Sequence, residues 1–191
     1  PEVHHELFNS RAIATPINAR VRAVFANRPP KTMTSERRLS HLALPAPVDR
    51  QRFRRRLLTW YWKHGRGLPW RRTRDPYRIL VSEIMLQQTQ VDRTIPKFLE
   101  FMARFPSIES LAEATSGEVI TLWAGMGYNG RAVRLQRLAS VVVSELGGVL
   151  PSKPNELRAL PGVGPYTASA VASFAFGASV PVLDTNVFRV L

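Results

Sequence analysis

The chain has 191 residues, 45% of them hydrophobic and 21% charged, and its 27 Lys and Arg against 14 Asp and Glu give a formal net charge of +13. That length and apolar content suit one core with a tail, and the basic excess favours a polyanionic partner. No cysteine is present, which excludes a disulfide framework and a thiolate-held metal or cluster within these residues; the four histidines show no ligand spacing, and no apolar run approaches the roughly 18 residues of a membrane span.

The charge is uneven. Residues 1–75 hold 17 Lys and Arg against 5 Asp and Glu, whereas residues 76–191 hold 10 against 9. Residues 1–48, with Pro29, Pro30, Pro45 and Pro47 and weak periodicity, read as a basic, disordered extension preceding a helical domain over 49–191. The arginines there fit either a solvated arm or a surface facing nucleic acid. Their acid-poor character has a transit-peptide flavour, diluted by His, Glu and Pro, and Met33 is a candidate start.

From Asp49 the pattern becomes helical. Phe53, Leu57, Trp60 and Tyr61 fall at helical spacing with arginines around them, so this helix is expected to bury its aromatics as core; stacking platforms are the alternative. Gly65 and Gly67 end it, and Leu68 to Arg71 form a loop. Asp75-Pro76 opens a second helix expected from Tyr77 to about Thr89, with Ile79, Leu80, Ile84 and Val91 on an apolar face. Glu83 lies among Ile84, Met85 and Leu86, either solvent-facing or half-buried for a purpose. Gln87, Gln88 and Gln90 follow where an ordinary core helix would end, a break in patterning that points to function.

Shorter helices are expected over Ile95 to Met102, near Ser110 to Ala114 and over Glu118 to Trp123. Gly125-Met126-Gly127-Tyr128-Asn129-Gly130 breaks the pattern before a helix from Arg131 to about Leu146, closed by Gly147-Gly148. No strand-like alternation is long enough for a sheet, so the fold class is all-α.

The last part of the chain carries the most specific signal. A brief helix, 155–160, leads through Pro161-Gly162-Val163-Gly164 into a helix from Pro165 to Phe176, a helix-hairpin-helix over 155–176. Gly162 and Gly164 permit positive φ and close backbone approach, so amides at the start of the second helix can face a phosphate. An ordinary helix–helix turn is the plainer reading. Extended residues 179–183 then lead to Asp184, placed to cap a final helix. The sequence ends inside that helix, which raises the expectation of a fragment of a longer domain.

Together the hairpin, Ser82-Glu83-Ile84-Met85-Leu86-Gln87-Gln88-Thr89-Gln90-Val91, Trp123-Ala124-Gly125-Met126-Gly127-Tyr128 and Asp184-Thr185-Asn186-Val187 resemble the MutY family of A/G-specific adenine DNA glycosylases, within the endonuclease III-like helix-hairpin-helix superfamily. The resemblance covers about 51–191. It implies a multi-helix glycosylase fold, incomplete at the C-terminus, acting as a monomer on double-stranded DNA with 8-oxoguanine:A or G:A mispairs, with no membrane partner. By that likeness Glu83 donates a proton to the adenine ring, Asp184 stabilises the sugar cation or serves as a cap or both, and Tyr166 supports the intermediate. Trp70, Arg71, Gln88, Thr89, Met126, Gly127 and Tyr128 contact DNA or base, with Trp70 and Tyr128 alternatively core aromatics, while Gly162 and Gly164 hold the backbone. Pro165-Tyr166 stands where lyase relatives place a lysine, which implies a monofunctional enzyme. The family's [4Fe-4S] cluster has its four cysteines beyond Leu191. Thr185 replaces a family glycine, and Asn129 replaces a second tyrosine. The implied location is the nucleoid of a bacterium, or the nucleus or mitochondrion of a eukaryote. Two other readings remain open: a DNA-binding fragment without catalysis, and a related glycosylase for mispaired or oxidised pyrimidines.

Overall fold

A computed structural model describes residues 46–190, so nearly all of the expected N-terminal extension, Met33 included, lies outside the described residues. The order is α1 (Pro47–His64), a 3₁₀ turn (Pro69–Arg72), α2 (Pro76–Met85), α3 (Val91–Arg104), α4 (Ile108–Ala112), α5 (Ser116–Trp123), α6 (Gly130–Leu146), α7 (Pro154–Ala159), α8 (Pro165–Phe176) and α9 (Thr185–Val190). No strand occurs among the described residues, as the all-α expectation requires.

Local signals set most helix boundaries. Asp75 accepts hydrogen bonds from the amides of Tyr77 (2.8 Å) and Arg78 (3.2 Å), and Pro76 occupies the first helical position of α2, where its missing N–H costs nothing. Reciprocal capping boxes start α4 at Ser107 and Ser110 and α5 at Thr115 and Glu118. Left-handed Gly147 and Gly177 stop α6 and α8. Pro96 is tolerated inside α3 on its exposed side, where the Asp92 carbonyl that loses an N–H partner is also exposed.

The core is built around α2. Every residue from Ile79 to Met85 is buried, and the helix packs against α3, α6, α8 and the 3₁₀ turn. Arg78 keeps a partly exposed side chain, but from Ile79 onward the helix has no solvent face on which to place a charge. Behind it, α6 packs on α4 and α5, and α7 packs on α8. Phe101, Phe105 and Trp123 stack edge to face in this core, with centroids 5.1 and 5.9 Å from Phe101. The Tyr77 hydroxyl donates to the Phe105 carbonyl at 3.0 Å, so the start of α2 is tied to the end of α3.

Two sequence expectations are corrected. The stripe of α1 is not core: Phe53, Leu57, Trp60 and Tyr61 are all exposed, with no residue of the helix buried, because nothing among the described residues covers it. The second helix ends at Met85 rather than near Thr89, and Val91 belongs to α3. The stop is conformational, since Gln88 adopts a left-handed φ of 57° that an α-helix cannot continue through.

Phe101→Ala removes a ring with no exposure and two aromatic partners. It should destabilise the fold by about 3–5 kcal/mol, to be read as a lower denaturant midpoint with an unchanged slope.

Candidate active site

Glu83 lies in the last turn and a half of α2, where the apolar run buries it to 7% exposure. Burial pushes its carboxyl above the ordinary glutamate value. A hydrogen bond offered by the Tyr166 hydroxyl draws it back, the Asp184 charge raises it again, and the Arg71 charge lowers it. Desolvation is the largest of these influences, so the net shift is upward.

Three other elements bring those neighbours to Glu83. Tyr166 sits in the first turn of α8, directly after the hairpin, half-buried; burial first and then the Glu83 charge push its phenol up, which keeps it a hydroxyl donor. Asp184 caps α9: its carboxylate accepts from the Val187 amide at 2.7 Å and from the Asn186 side chain at 3.1 Å. The Val187 amide is the main reason its carboxyl is held below the usual aspartate value. The cap and the charged group beside the acid are therefore one residue. Two carboxyls thus shift in opposite directions, Glu83 upward and Asp184 downward, and the Asp184 charge reaches Glu83.

The loop after α2 forms the second part of the site. The Gln87 side chain donates to the Thr167 hydroxyl at 3.3 Å, linking this loop to α8. Thr89 lies between the two loops, its hydroxyl near the carbonyls of Gln87 (3.3 Å) and Met126 (3.4 Å). Gln88 is exposed with φ 57°, and Tyr128, 69% exposed, has φ 49°. Each is a non-glycine residue in the left-handed region, a conformation that persists only when the surroundings enforce it.

In the hairpin only Gly162 has positive φ, at 78°, and a Cβ there would lie 3.1 Å from the Arg134 Cβ. Gly164 departs from expectation. Its φ of −87° with ψ 175° is extended, but a Cβ there would meet nothing within 4 Å, so its contribution is an open side at the start of α8.

Two of the expected contact residues are buried. Trp70 is core, 7% exposed and edge-on to Phe98 at 5.3 Å. Met126 is buried to 4% exposure because its chain turns inward between two left-handed glycines, leaving its carbonyl to accept from Arg131 at 2.9 Å. The Arg71 charge reaches Glu83, while its guanidinium lies 5.5 Å from the Tyr61 ring centroid and donates to the Arg66 carbonyl at 3.2 Å. Gly127 accepts from the Trp123 indole at 3.3 Å. The residue that sequence reasoning missed is Arg131, 5% exposed beneath both loops. A charged residue straight after a glycine-broken loop was its only visible signal.

No group of three or more His, Cys, Asp or Glu with metal-holding geometry occurs among the described residues. With no cysteine in the sequence, nothing here fits the thiolate donor set of an iron–sulfur cluster.

Comparison with known proteins converges on the same elements. Residues 81–191 match the model of the HhH-GPD superfamily of base excision DNA repair proteins. A Homo sapiens adenine DNA glycosylase is 49% identical over 148 residues, 73% of this chain and 27% of that protein. One from Mycolicibacterium smegmatis is 48% identical over 136 residues, 71% of this chain and 46% of its own length. The chain thus spans less than half of the curated relatives it matches. Among solved structures, a thermostable thymine-DNA glycosylase superposes with a TM-score of 0.71 at 35% identity, covering 75% of this chain and 66% of that one. An endonuclease III bound non-covalently to DNA shares the fold, with a TM-score of 0.66 at 22% identity over 77% of this chain and 68% of its own.

The raised Glu83 carboxyl has a consequence for stability. The folded state holds that proton more tightly than the unfolded chain does, so stability falls as pH rises from the ordinary glutamate value through the raised one. Glu83→Gln removes this loss. Its thermal midpoint should therefore gain on the wild type as pH rises above the ordinary glutamate value of about 4.3, by about 2–4 °C for each kcal/mol relieved, as followed by circular dichroism.

Proposed function

We propose that this chain, which belongs to the HhH-GPD superfamily of base excision DNA repair proteins, carries the catalytic groups of an adenine DNA glycosylase acting on adenine opposite 8-oxoguanine or guanine. The observation that carries the reading is Glu83, a carboxyl buried in α2 to 7% exposure and raised above its ordinary value, with the Tyr166 hydroxyl and the Asp184 charge as neighbours. The curated relatives at 46–49% identity, which are adenine glycosylases, support the choice of base.

The chemistry follows from the division of charge. Adenine inside a duplex is shielded, so its nucleotide is first swung out of the stack, with DNA phosphates held by the open backbone at Gly164 and the start of α8, which the turn at Gly162 sets in place. Glu83 gives its proton to the ring, which makes adenine a leaving group, and the bond between the base nitrogen and the sugar C1′ breaks. The positive charge left on the sugar is offset by the Asp184 carboxylate, with the Tyr166 hydroxyl alongside. Water adds to C1′ and returns a proton to Glu83, so the net reaction is hydrolysis. Because Pro165-Tyr166 offers no amine after the hairpin, the sugar is not attacked by the protein, and the reaction stops at base removal.

Recognition falls to the two exposed left-handed residues. Tyr128 projects where an aromatic can enter the base stack, with Gln88 beside the opened site; stacking worth about 1–3 kcal/mol offsets part of the cost of flipping.

Single-turnover release of free base is the test, with duplexes carrying 8-oxoguanine:A, G:A and G:T, for this chain and for one extended to the length of its relatives. Adenine release is expected. Thymine release without adenine would favour the reading suggested by the thymine-DNA glycosylase neighbour, and binding without release by either chain would favour a non-catalytic DNA-binding fragment. Glu83→Gln should slow release by about 10²–10⁴-fold while leaving duplex affinity intact; equal loss of binding would make Glu83 structural. Tyr128→Ala should lower the preference for 8-oxoguanine:A over undamaged duplex by roughly tenfold, as read by competition binding.

A further inference from the structure

We infer that Arg131 is a positioning residue: its buried guanidinium locks the loops bearing Gln88 and Tyr128 into left-handed backbone before DNA arrives, so that the two side chains meet the duplex preformed. The inference rests on the recognition roles proposed above for those two residues.

The geometry is that of a two-sided clamp. One terminal nitrogen of Arg131 donates to the carbonyls of Ile84 (2.9 Å), Met85 (3.1 Å) and Gln87. The other donates to the Thr89 hydroxyl (3.1 Å) and to the carbonyls of Met126 (2.9 Å) and Gly127 (3.1 Å). Gln88 is thus held through both sequence neighbours, and Tyr128 through the residues before it. The Tyr128 carbonyl itself accepts from the Arg131 amide at 2.8 Å. The guanidinium also lies 5.5 Å from the Trp123 ring centroid and 5.9 Å from that of Tyr128, so the exposed tyrosine rests on the clamp as well.

Burying this cation works against its own helix. Arg131 is in the first turn of α6, where the helix field disfavours positive charge. No carboxylate pairs with it among the described residues, and its Nε has no hydrogen-bond partner. What it neutralises is elsewhere: the orphan carbonyls ending α2, the helix of Glu83, together with those of the 126–127 turn. A guanidinium suits this because its planar fork sends donors in two directions at once, whereas an ammonium is a single point of donation. Charge alone would be met by lysine; holding both loops requires arginine.

The test is amide hydrogen exchange on the full chain without DNA, for wild type and Arg131→Lys, followed by competition binding of lesion and undamaged duplexes. In the wild type, amides of 87–90 and 127–128 should be protected although their side chains are largely exposed; exchange there at the unprotected rate overturns the clamp, and this measurement needs no variant to fold. In Arg131→Lys, exchange at both loops should rise at least about tenfold, as expected for lost charge-assisted hydrogen bonds, with core amides of α4 and α6 unchanged. The preference for 8-oxoguanine:A duplex should fall by a similar factor while affinity for undamaged duplex holds. Loosening spread evenly through the core would make Arg131 a general packing residue, and loosened loops with unaltered preference would sever it from recognition. A wild-type chain without lesion preference overturns the adenine reading and leaves the clamp to be decided by exchange alone.

Discussion

The burial of α2 is the constraint from which the rest of the site follows. Because α3, α6, α8 and the 3₁₀ turn cover this helix, its one carboxyl is largely withdrawn from water, and its final carbonyls need donors from within the protein. The first condition makes Glu83 an acid. The second calls for a donor from outside the helix, and Arg131 supplies it. Removing water from one short helix therefore creates both the proton donor and the need for the cation that fastens the neighbouring loops.

Glu83 and Asp184 illustrate how position divides labour between similar groups. Both are carboxyls, and the Asp184 charge reaches Glu83. Asp184 caps the start of a helix, where amide donors stabilise the anion, while Glu83 stands in an apolar wall that penalises it. Neither tendency depends on an unusual residue. They come from one group lying at a helix start and the other inside a packed helix, and Tyr166, set by the hairpin that precedes α8, bridges the two environments.

The recognition side is built on conformation more than on charge. Gln88 and Tyr128 both hold left-handed backbone without being glycine. Such strain is sustained only by over-determined surroundings, and here the surroundings are a single guanidinium with partners on both sides. The hairpin contributes differently. Gly162 is required where the chain runs against Arg134, while Gly164 leaves a vacant side next to α8. The loop residues present side chains, and the hairpin presents bare backbone.

Much of this was legible in the order of residues. Asp75-Pro76, the Thr115–Glu118 capping box, Gly147 and Gly177 set helix ends through interactions a few residues long, and the hairpin with its Pro165 helix is equally local. The motif residues Glu83, Tyr166 and Asp184 were also identifiable before any coordinates. What the sequence could not decide was environment. The aromatics of α1 have the same spacing as core residues yet lie exposed, whereas Trp70 and Met126, drawn toward DNA by their motifs, are packed inside. Periodicity reports which residues share a face, not what covers that face. Gln88 carries no chemical mark of a left-handed backbone, and Arg131, one of many arginines in a basic chain, gained its role only when the fold brought residues 84–89 and 126–128 around it. Caps, turns and motif chemistry were fixed by neighbours in sequence; the burial of the acid and the joining of the 84–89 loop to Arg131, through contacts more than 40 positions apart, are brought about only by tertiary structure.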